Sequence, residues 1–314
     1  MRSTIGLLDP YMGWQLMRNA ILFHCALLSG AVVAAPPDWQ TVSIKKLRLF
    51  YPGQASIDWV MNAADHSAVS DIVDKQRSCA KCHEGDSHDI GKLIVAGKPA
   101  GSSKTVLEPQ PIPGKAGWLP VSFQAAHDGE KLYVRLEWES PKGGADKMDA
   151  ANEIKATMLF DGGDTVEGAA INGCWSACHS DLRTMKNARD DKTTKYVKNA
   201  DLAAGRFYDL IQFRSGGKPV DGYVADARVM EGGKSLLAAN GRKEGNKWVV
   251  TFERRLAGGA PGDHALDGER IHNFGLAIHE DHAAARYHYV SLGYQFGLDK
   301  TVEGVKSYYN VVKQ

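Results

Sequence analysis

Residues 118–140 read Trp118-Leu119-Pro120-Val121-Ser122-Phe123-Gln124-Ala125-Ala126-His127-Asp128-Gly129-Glu130-Lys131-Leu132-Tyr133-Val134-Arg135-Leu136-Glu137-Trp138-Glu139-Ser140. Apolar side chains fall at every second position, first Val121, Phe123 and Ala125, then Leu132, Val134, Leu136 and Trp138. That is the period of a strand with one face buried. Asp128-Gly129 divides the two runs with the residue types of a tight turn, so the stretch predicts a β-hairpin.

Working outward, strand patterns recur at 154–160, 206–214, 247–254, 271–278 and 286–294, separated by glycine-rich turns. The expected fold is therefore mainly β, a β-sandwich spanning residues 118–314. Upstream, residues 36–98 predict a small, partly helical segment with a Pro52-Gly53 turn and short helices over 56–62 and 68–76. Between the two, residues 99–117 carry Pro99, Pro109, Pro111 and Pro113 among glycines and lysines and read as a linker.

Residues 1–35 read as a signal peptide. Arg18 precedes an apolar run over 20–33, which ends in the small residues Val33-Ala34-Ala35 before Pro36-Pro37. A retained anchor is the competing reading, but 14 residues containing His24 and Cys25 fall short of the ~20 that span a bilayer. Met17 is an alternative start that keeps Arg18 as the charged flank. Export to a periplasm, with no stable membrane span after cleavage, is the expectation. Lys plus Arg number 38 and Asp plus Glu 37, so no global field directs the chain to nucleic acid.

Five cysteines are present, and Cys25 lies in the segment expected to be removed. The other four form Cys79-Ala80-Lys81-Cys82-His83 and Cys174-Trp175-Ser176-Ala177-Cys178-His179. Covalent haem attachment needs two thiols for thioether bonds to the porphyrin vinyl groups and an imidazole directly after them to ligate the iron. The first motif has the standard spacing. The second has one extra residue between its cysteines. A redox disulfide or half a zinc site is the other reading of the first pair, and a structural disulfide that of the second. The histidine that closes each pair favours two covalently bound haem c groups, with His83 and His179 as proximal ligands.

Three further stretches are Tyr208-Asp209-Leu210-Ile211-Gln212-Phe213-Arg214, Trp248-Val249-Val250-Thr251-Phe252-Glu253-Arg254-Arg255-Leu256 and Phe274-Gly275-Leu276-Ala277-Ile278-His279. In these the chain resembles the haem-binding (gamma) subunits of ethylbenzene dehydrogenase-type enzymes, over roughly residues 118–298. The resemblance implies a β-sandwich that holds haem, accompanies a molybdenum oxidoreductase of the dimethyl sulfoxide reductase type and passes electrons to or from an iron–sulfur partner subunit. That family holds one b-type haem noncovalently. This sequence departs from it by a covalent attachment motif within the sandwich and a second motif in an N-terminal extension.

Sixth iron ligands come from the remaining histidines and methionines. For the first haem His66 is the candidate, with His88 next. For the second, His272, His279, His282 and His288 crowd one stretch, and His279, at the end of a predicted strand, is preferred, with Met185 an alternative. Bis-histidine ligation would leave both irons six-coordinate and favour electron transfer over catalysis. The expected function is a periplasmic dihaem cytochrome c with protein redox partners: a quinol-side donor, and a periplasmic oxidoreductase or terminal acceptor. The alternative is a dihaem enzyme, a peroxidase or sulfur-compound oxidoreductase, with one open iron site.

Overall fold

In the computed structural model, residues 36–314 are described except 55–59, 62–65, 67, 76, 101–105, 142–147, 164, 174, 176 and 178–195. The hairpin forms as the alternation requires, from β2 (Trp118–His127) and β3 (Lys131–Glu139). Asp128 builds its turn, its Oδ1 accepting the Glu130 and Lys131 N–H groups at 2.8 and 2.7 Å, while Gly129 takes φ 100°. Register places Phe123 opposite Leu136 and His127 opposite Leu132. The apolar face of each strand is buried.

Two layers grow from this hairpin. One runs β2, β3, β9 (Lys247–Arg255) and β8 (Leu236–Glu244); the other runs β10 (His272–His279), β4 (Lys155–Asp161), β5 (Tyr208–Arg214), β6 (Val220–Val224) and β7 (Arg228–Val229). On one side β1 (Lys45–Phe50) and β11 (Tyr289–Val290) join β2 to β10. On the other, β12 (Tyr294–Leu298) and β13 (Tyr308–Lys313) do so, pairing parallel with each other. The hydrogen-bonded path β10–β11–β1–β2–β13–β12 returns to β10, so the sandwich closes as a barrel on this side.

The core lies inside that ring and between the layers. Phe123 stacks on Phe274 at 5.0 Å and meets Tyr309 edge-on at 5.1 Å, and Phe274 lies 5.8 Å from both Tyr294 and Phe296. Each such ring, fully buried, contributes about 1.5–3 kcal/mol of hydrophobic stabilisation. A Cβ on Gly241 of β8 would fall 2.3 Å from the Phe213 ring of β5, so glycine allows the layers to close at this point. Across the layers, the buried Arg254 of β9 donates to Asp209 of β5 at 2.8 Å. Burial pushes the Asp209 carboxyl up, and Arg254 and the His264 N–H, which also bonds it, hold it back.

The strands expected at 154–160, 206–214, 247–254 and 271–278 are β4, β5, β9 and β10. The pattern at 286–294 becomes two strands instead of one. Ser291 exchanges bonds with Leu276, its N–H donating at 2.9 Å and its Oγ accepting at 2.8 Å, and the chain then turns out to Gly293 before β12 begins. The helix expected over 68–76 is α1 (Val69–Asp74), followed by α2 (Ala80–His83), α3 (Ser87–Val95) and α4 (Ala169–Asn172). The helix expected over 56–62 and the signal peptide of 1–35 fall wholly or largely outside the described residues.

The division at 98 and 117 meets a chain in which Pro36–Gln314 is one compact unit. Lys45–Phe50, within the expected N-terminal segment, is a strand of the sheet, with Leu47 and Leu49 wholly buried. The proline-rich stretch is packed where it is described: Gln54 N–H donates to the Leu107 carbonyl at 2.7 Å, Tyr51 N–H to that of Gly117 at 2.9 Å, and Glu108 is buried. Among the described residues no helix is long and apolar enough to cross a membrane.

The cross-layer ion pair sets a test of this packing. Asp209→Ala, which strands the Arg254 guanidinium, is expected to cost about 3–5 kcal/mol, whereas Asp209→Leu with Arg254→Met recovers most of it. Urea midpoints at unchanged slope measure both, and equal losses in the two variants would contradict the role given to the pair.

Candidate functional site

Cys79, Cys82 and His83 occupy a single turn. Cys79 precedes α2, and the His83 N–H bonds the Cys79 carbonyl at 2.9 Å, so both thiols and the imidazole issue from one short helical stretch. Both sulfurs are free thiols, Cys82 exposed and Cys79 half-buried. Burial pushes the Cys79 thiol up to about 12. Its Sγ donates to Asn172 Oδ1 at 3.2 Å, and its N–H to the Ile171 carbonyl at 2.9 Å.

The His83 ring makes two contacts of consequence. Its Nδ1 lies 3.1 Å from Asp86 Oδ1, three residues on, which leaves Nε2 available to a metal. The His66 ring stands 6.1 Å from it, centroid to centroid, at 67° between planes. A buried Nδ1 of His66 has no hydrogen-bond partner, and burial, then the nearby His83, lower the pKa of this imidazole. His88 instead packs on Trp118 at 5.4 Å and pairs with Asp89 at 3.1 Å. Two cysteines on one turn, not paired with each other, followed by an imidazole with a second imidazole beside it, fit a covalently held haem.

Of the second motif, Cys174, Cys178 and His179 lie outside the described residues, as do Met185 and the stretch 181–195. Its flanks are described. α4 ends at Gly173, with φ 56°, where a Cβ would lie 2.8 Å from the Gly293 Cα. Trp175 is buried and meets Phe50 edge-on at 5.4 Å.

The candidate histidines of the crowded stretch separate. His279 closes β10, its ring 4.8 Å from that of His288, and both approach the Ala285 carbonyl, through Nε2 at 3.0 Å and Nδ1 at 2.8 Å respectively. The buried Nδ1 of His279 has no hydrogen-bond partner. Burial, then the neighbouring His288, hold its pKa well below the usual value, and burial takes His288 down to about 4, so both rings are neutral. The loop between them bends through left-handed φ at Asp281, His282 and Ala285, none of them glycine. His272 bonds the Asp267 carbonyl at 2.9 Å and lies 5.2 Å from Phe296, and His282 bonds the Asp149 carbonyl at 2.8 Å.

Sequence reasoning passed over Asp86, whose only signal is a carboxylate three residues after the motif histidine. It also passed over Asn172 and Ile171, whose proximity to Cys79 is purely tertiary. A third group missed surrounds Glu108. This carboxylate accepts from Tyr51 Oη at 2.7 Å and pairs with Arg286, while Lys115, lowered to about 8 by burial, lies over the Tyr289 and Tyr51 rings at 4.3 and 5.2 Å.

Residues 98–246 match the family described as Ethylbenzene dehydrogenase. A cytochrome c-552 of Stutzerimonas stutzeri is 46% identical over 272 residues, which are 86% of this chain and 90% of the relative. A cytochrome c-551 of Rhodocyclus tenuis is 35% identical over 266 residues, 83% of this chain and 95% of the relative. Among solved structures, a family 9 carbohydrate-binding module from Caldicellulosiruptor kristjanssonii in complex with cellotriose aligns with TM-score 0.30 and 10% identity over 56% of this chain and 65% of that one. The relatives and the family match support a haem electron-transfer protein. The chain belongs to the c-type cytochromes of the ethylbenzene dehydrogenase haem-binding family.

The two thiols of the first motif give a chemical check on its geometry. In chain made without haem attachment, iodoacetamide at pH 8 is expected to label the exposed Cys82 at least ~10-fold faster than the half-buried Cys79, whose pKa is raised, because only the thiolate reacts. Peptide mass spectrometry reads the two rates, and equal labelling of folded protein would contradict the seating of Cys79 against Asn172.

Proposed function

We propose that this protein is a periplasmic dihaem cytochrome c that passes single electrons between protein redox partners, a quinol-side donor and a periplasmic oxidoreductase or terminal acceptor. A molybdenum enzyme is one such partner, on the strength of the family. In this reading Cys79 and Cys82 carry one haem with His83 and His66 on its iron. Cys174 and Cys178 carry the other with His179 and His279.

The observation that carries the reading is the pair of imidazoles from His66 and His83, 6.1 Å apart by centroid. One metal ion bound at ~2 Å to each ring fits that separation. When bound, haem c would supply a one-electron couple. The surrounding residues suit that task. Asp86 accepts the Nδ1 proton of His83 and so fixes its tautomer. Burial, then the nearby His83, shift His66 toward the neutral form, the form that ligates. Export is supported by the signal-like residues 1–35 and by the paired cysteines, which thioether formation would occupy.

Pyridine haemochrome analysis with near-infrared magnetic circular dichroism tests this directly. The expected result is two covalent haems per chain, both low-spin and bis-histidine. His66→Ala should turn one of the two high-spin while the count stays at two. A single haem would make Cys174 and Cys178 a disulfide pair. A high-spin haem in the unaltered protein would instead support the dihaem enzyme with an open site.

A further inference from the structure

We propose that Asp209, Asp221 and Asp263 form a site for one divalent cation, calcium by its coordination chemistry, where β5, β6 and the connection from β9 to β10 meet. The site is separate from the haem motifs and goes beyond the electron-carrier reading.

Sheet register brings the first two carboxylates together. Asp209 pairs with Tyr223 and Ile211 with Asp221, so Asp209 and Asp221 are diagonal neighbours on one face of adjacent strands. Asp263 arrives through the next residue, His264, whose N–H donates to Asp209 Oδ2 at 3.0 Å. One carboxylate oxygen from each of the three lies within 4.8 Å of the other two. Oxygens bound to one Ca2+ ion at about 2.3–2.6 Å are at most ~5 Å apart, so the three fit a single calcium shell.

The Asp209 carboxylate itself points to a ligand. It is wholly buried; its Oδ2 accepts from Arg254 at 2.8 Å and from the His264 N–H, and its Oδ1 has no hydrogen-bond partner. A buried carboxylate oxygen left unpaired is costly, and a cation beside it removes that cost. Asp221 and Asp263 meet neutral donors only. Asp221 accepts from Ser235 Oγ at 3.3 Å and from the Leu236 N–H at 2.7 Å, and Asp263 accepts from the Lys234 N–H, at 3.0 Å to Oδ2 and 3.3 Å to Oδ1. Among the described residues Arg254 is the one side-chain cation paired with the cluster. Three carboxylates against one guanidinium leave two negative charges, which a divalent ion balances. Burial pushes the Asp209 carboxyl up to about 7, and Asp263 and Asp221 add to that push against Arg254 and the His264 N–H, a repulsion that a bound cation relieves. An all-oxygen donor set, with two half-buried members that leave room for water ligands, suits calcium.

The test uses the full haem-loaded chain, exchanged into chelator-treated buffer and titrated with Ca2+ alone by isothermal calorimetry. One Ca2+ per chain is expected, with Kd at or below ~1 mM. Bound Ca2+ should also raise the melting temperature. Asp263→Asn keeps an acceptor for the Lys234 N–H while removing a charge, and both it and Asp221→Asn are expected to weaken binding at least ~10-fold. Haem content and absorption spectrum should match the unaltered protein in both variants, since neither residue belongs to an attachment motif. Should Asp221→Asn fail to fold, Asp263→Asn decides alone, because its carboxylate is half-buried in a loop. No saturable binding up to ~10 mM Ca2+, or undiminished affinity in Asp263→Asn, would overturn the site and leave the electron-carrier reading standing.

Discussion

A helix of four residues has too few internal hydrogen bonds to hold itself together, so α2 stands because of what it is seated on. That seat is the bond from the Cys79 N–H to the Ile171 carbonyl, with Ser78 fixed to Gly293 alongside. Both acceptors belong to connections of the sheet: Ile171 to the passage after β4, Gly293 to the break between β11 and β12. The geometry of two thiols and an imidazole is therefore set by the β-architecture.

This dependence explains why β1 joins the sheet instead of staying with an independent N-terminal module. Lys45–Phe50 pairs with β2 along its full length and buries Leu47 and Leu49, and the next residue, Tyr51, hydrogen-bonds Glu108. The first attachment turn follows some thirty residues later in a stretch with few buried apolar side chains, Ile72, Ala80 and Ile94 among them. Such a stretch gains little from its own burial and takes its order from the sheet.

Much of the sandwich was legible because its central strands obey a two-residue period or form apolar runs. β2, β3 and β9 show that alternation, whereas β4, β5 and β10 are buried along nearly their whole length and read as near-continuous apolar runs. Of the strands that escaped, two have weak patterns, while β6 is only five residues long although it alternates. β8 is largely exposed and polar, held by its ladder with β9, and β1 offers only Leu47 and Leu49 as alternating signals. At the site, Cys79, Cys82 and His83 announce themselves by local spacing. Asn172, Glu108 and the Ala285 carbonyl shared by His279 and His288 are brought in by tertiary contact, which spacing does not encode.

An imidazole ligates only when neutral, and a one-electron carrier works best when its surroundings need not rearrange as the charge changes. Burial depresses His66, His279 and His288 alike and so favours their neutral form. The second demand calls for rigidity. The 280–288 loop is held in left-handed backbone at three non-glycine residues, a strained form that persists only where its surroundings fix it. Here the fixing contacts are reciprocal: Asp149 N–H donates to the His282 carbonyl at 2.8 Å, and His282 Nδ1 lies 2.8 Å from the Asp149 carbonyl. Strain accepted at this end of β10, beside two neutral imidazoles that share one carbonyl, marks a place where the backbone is fixed by its surroundings.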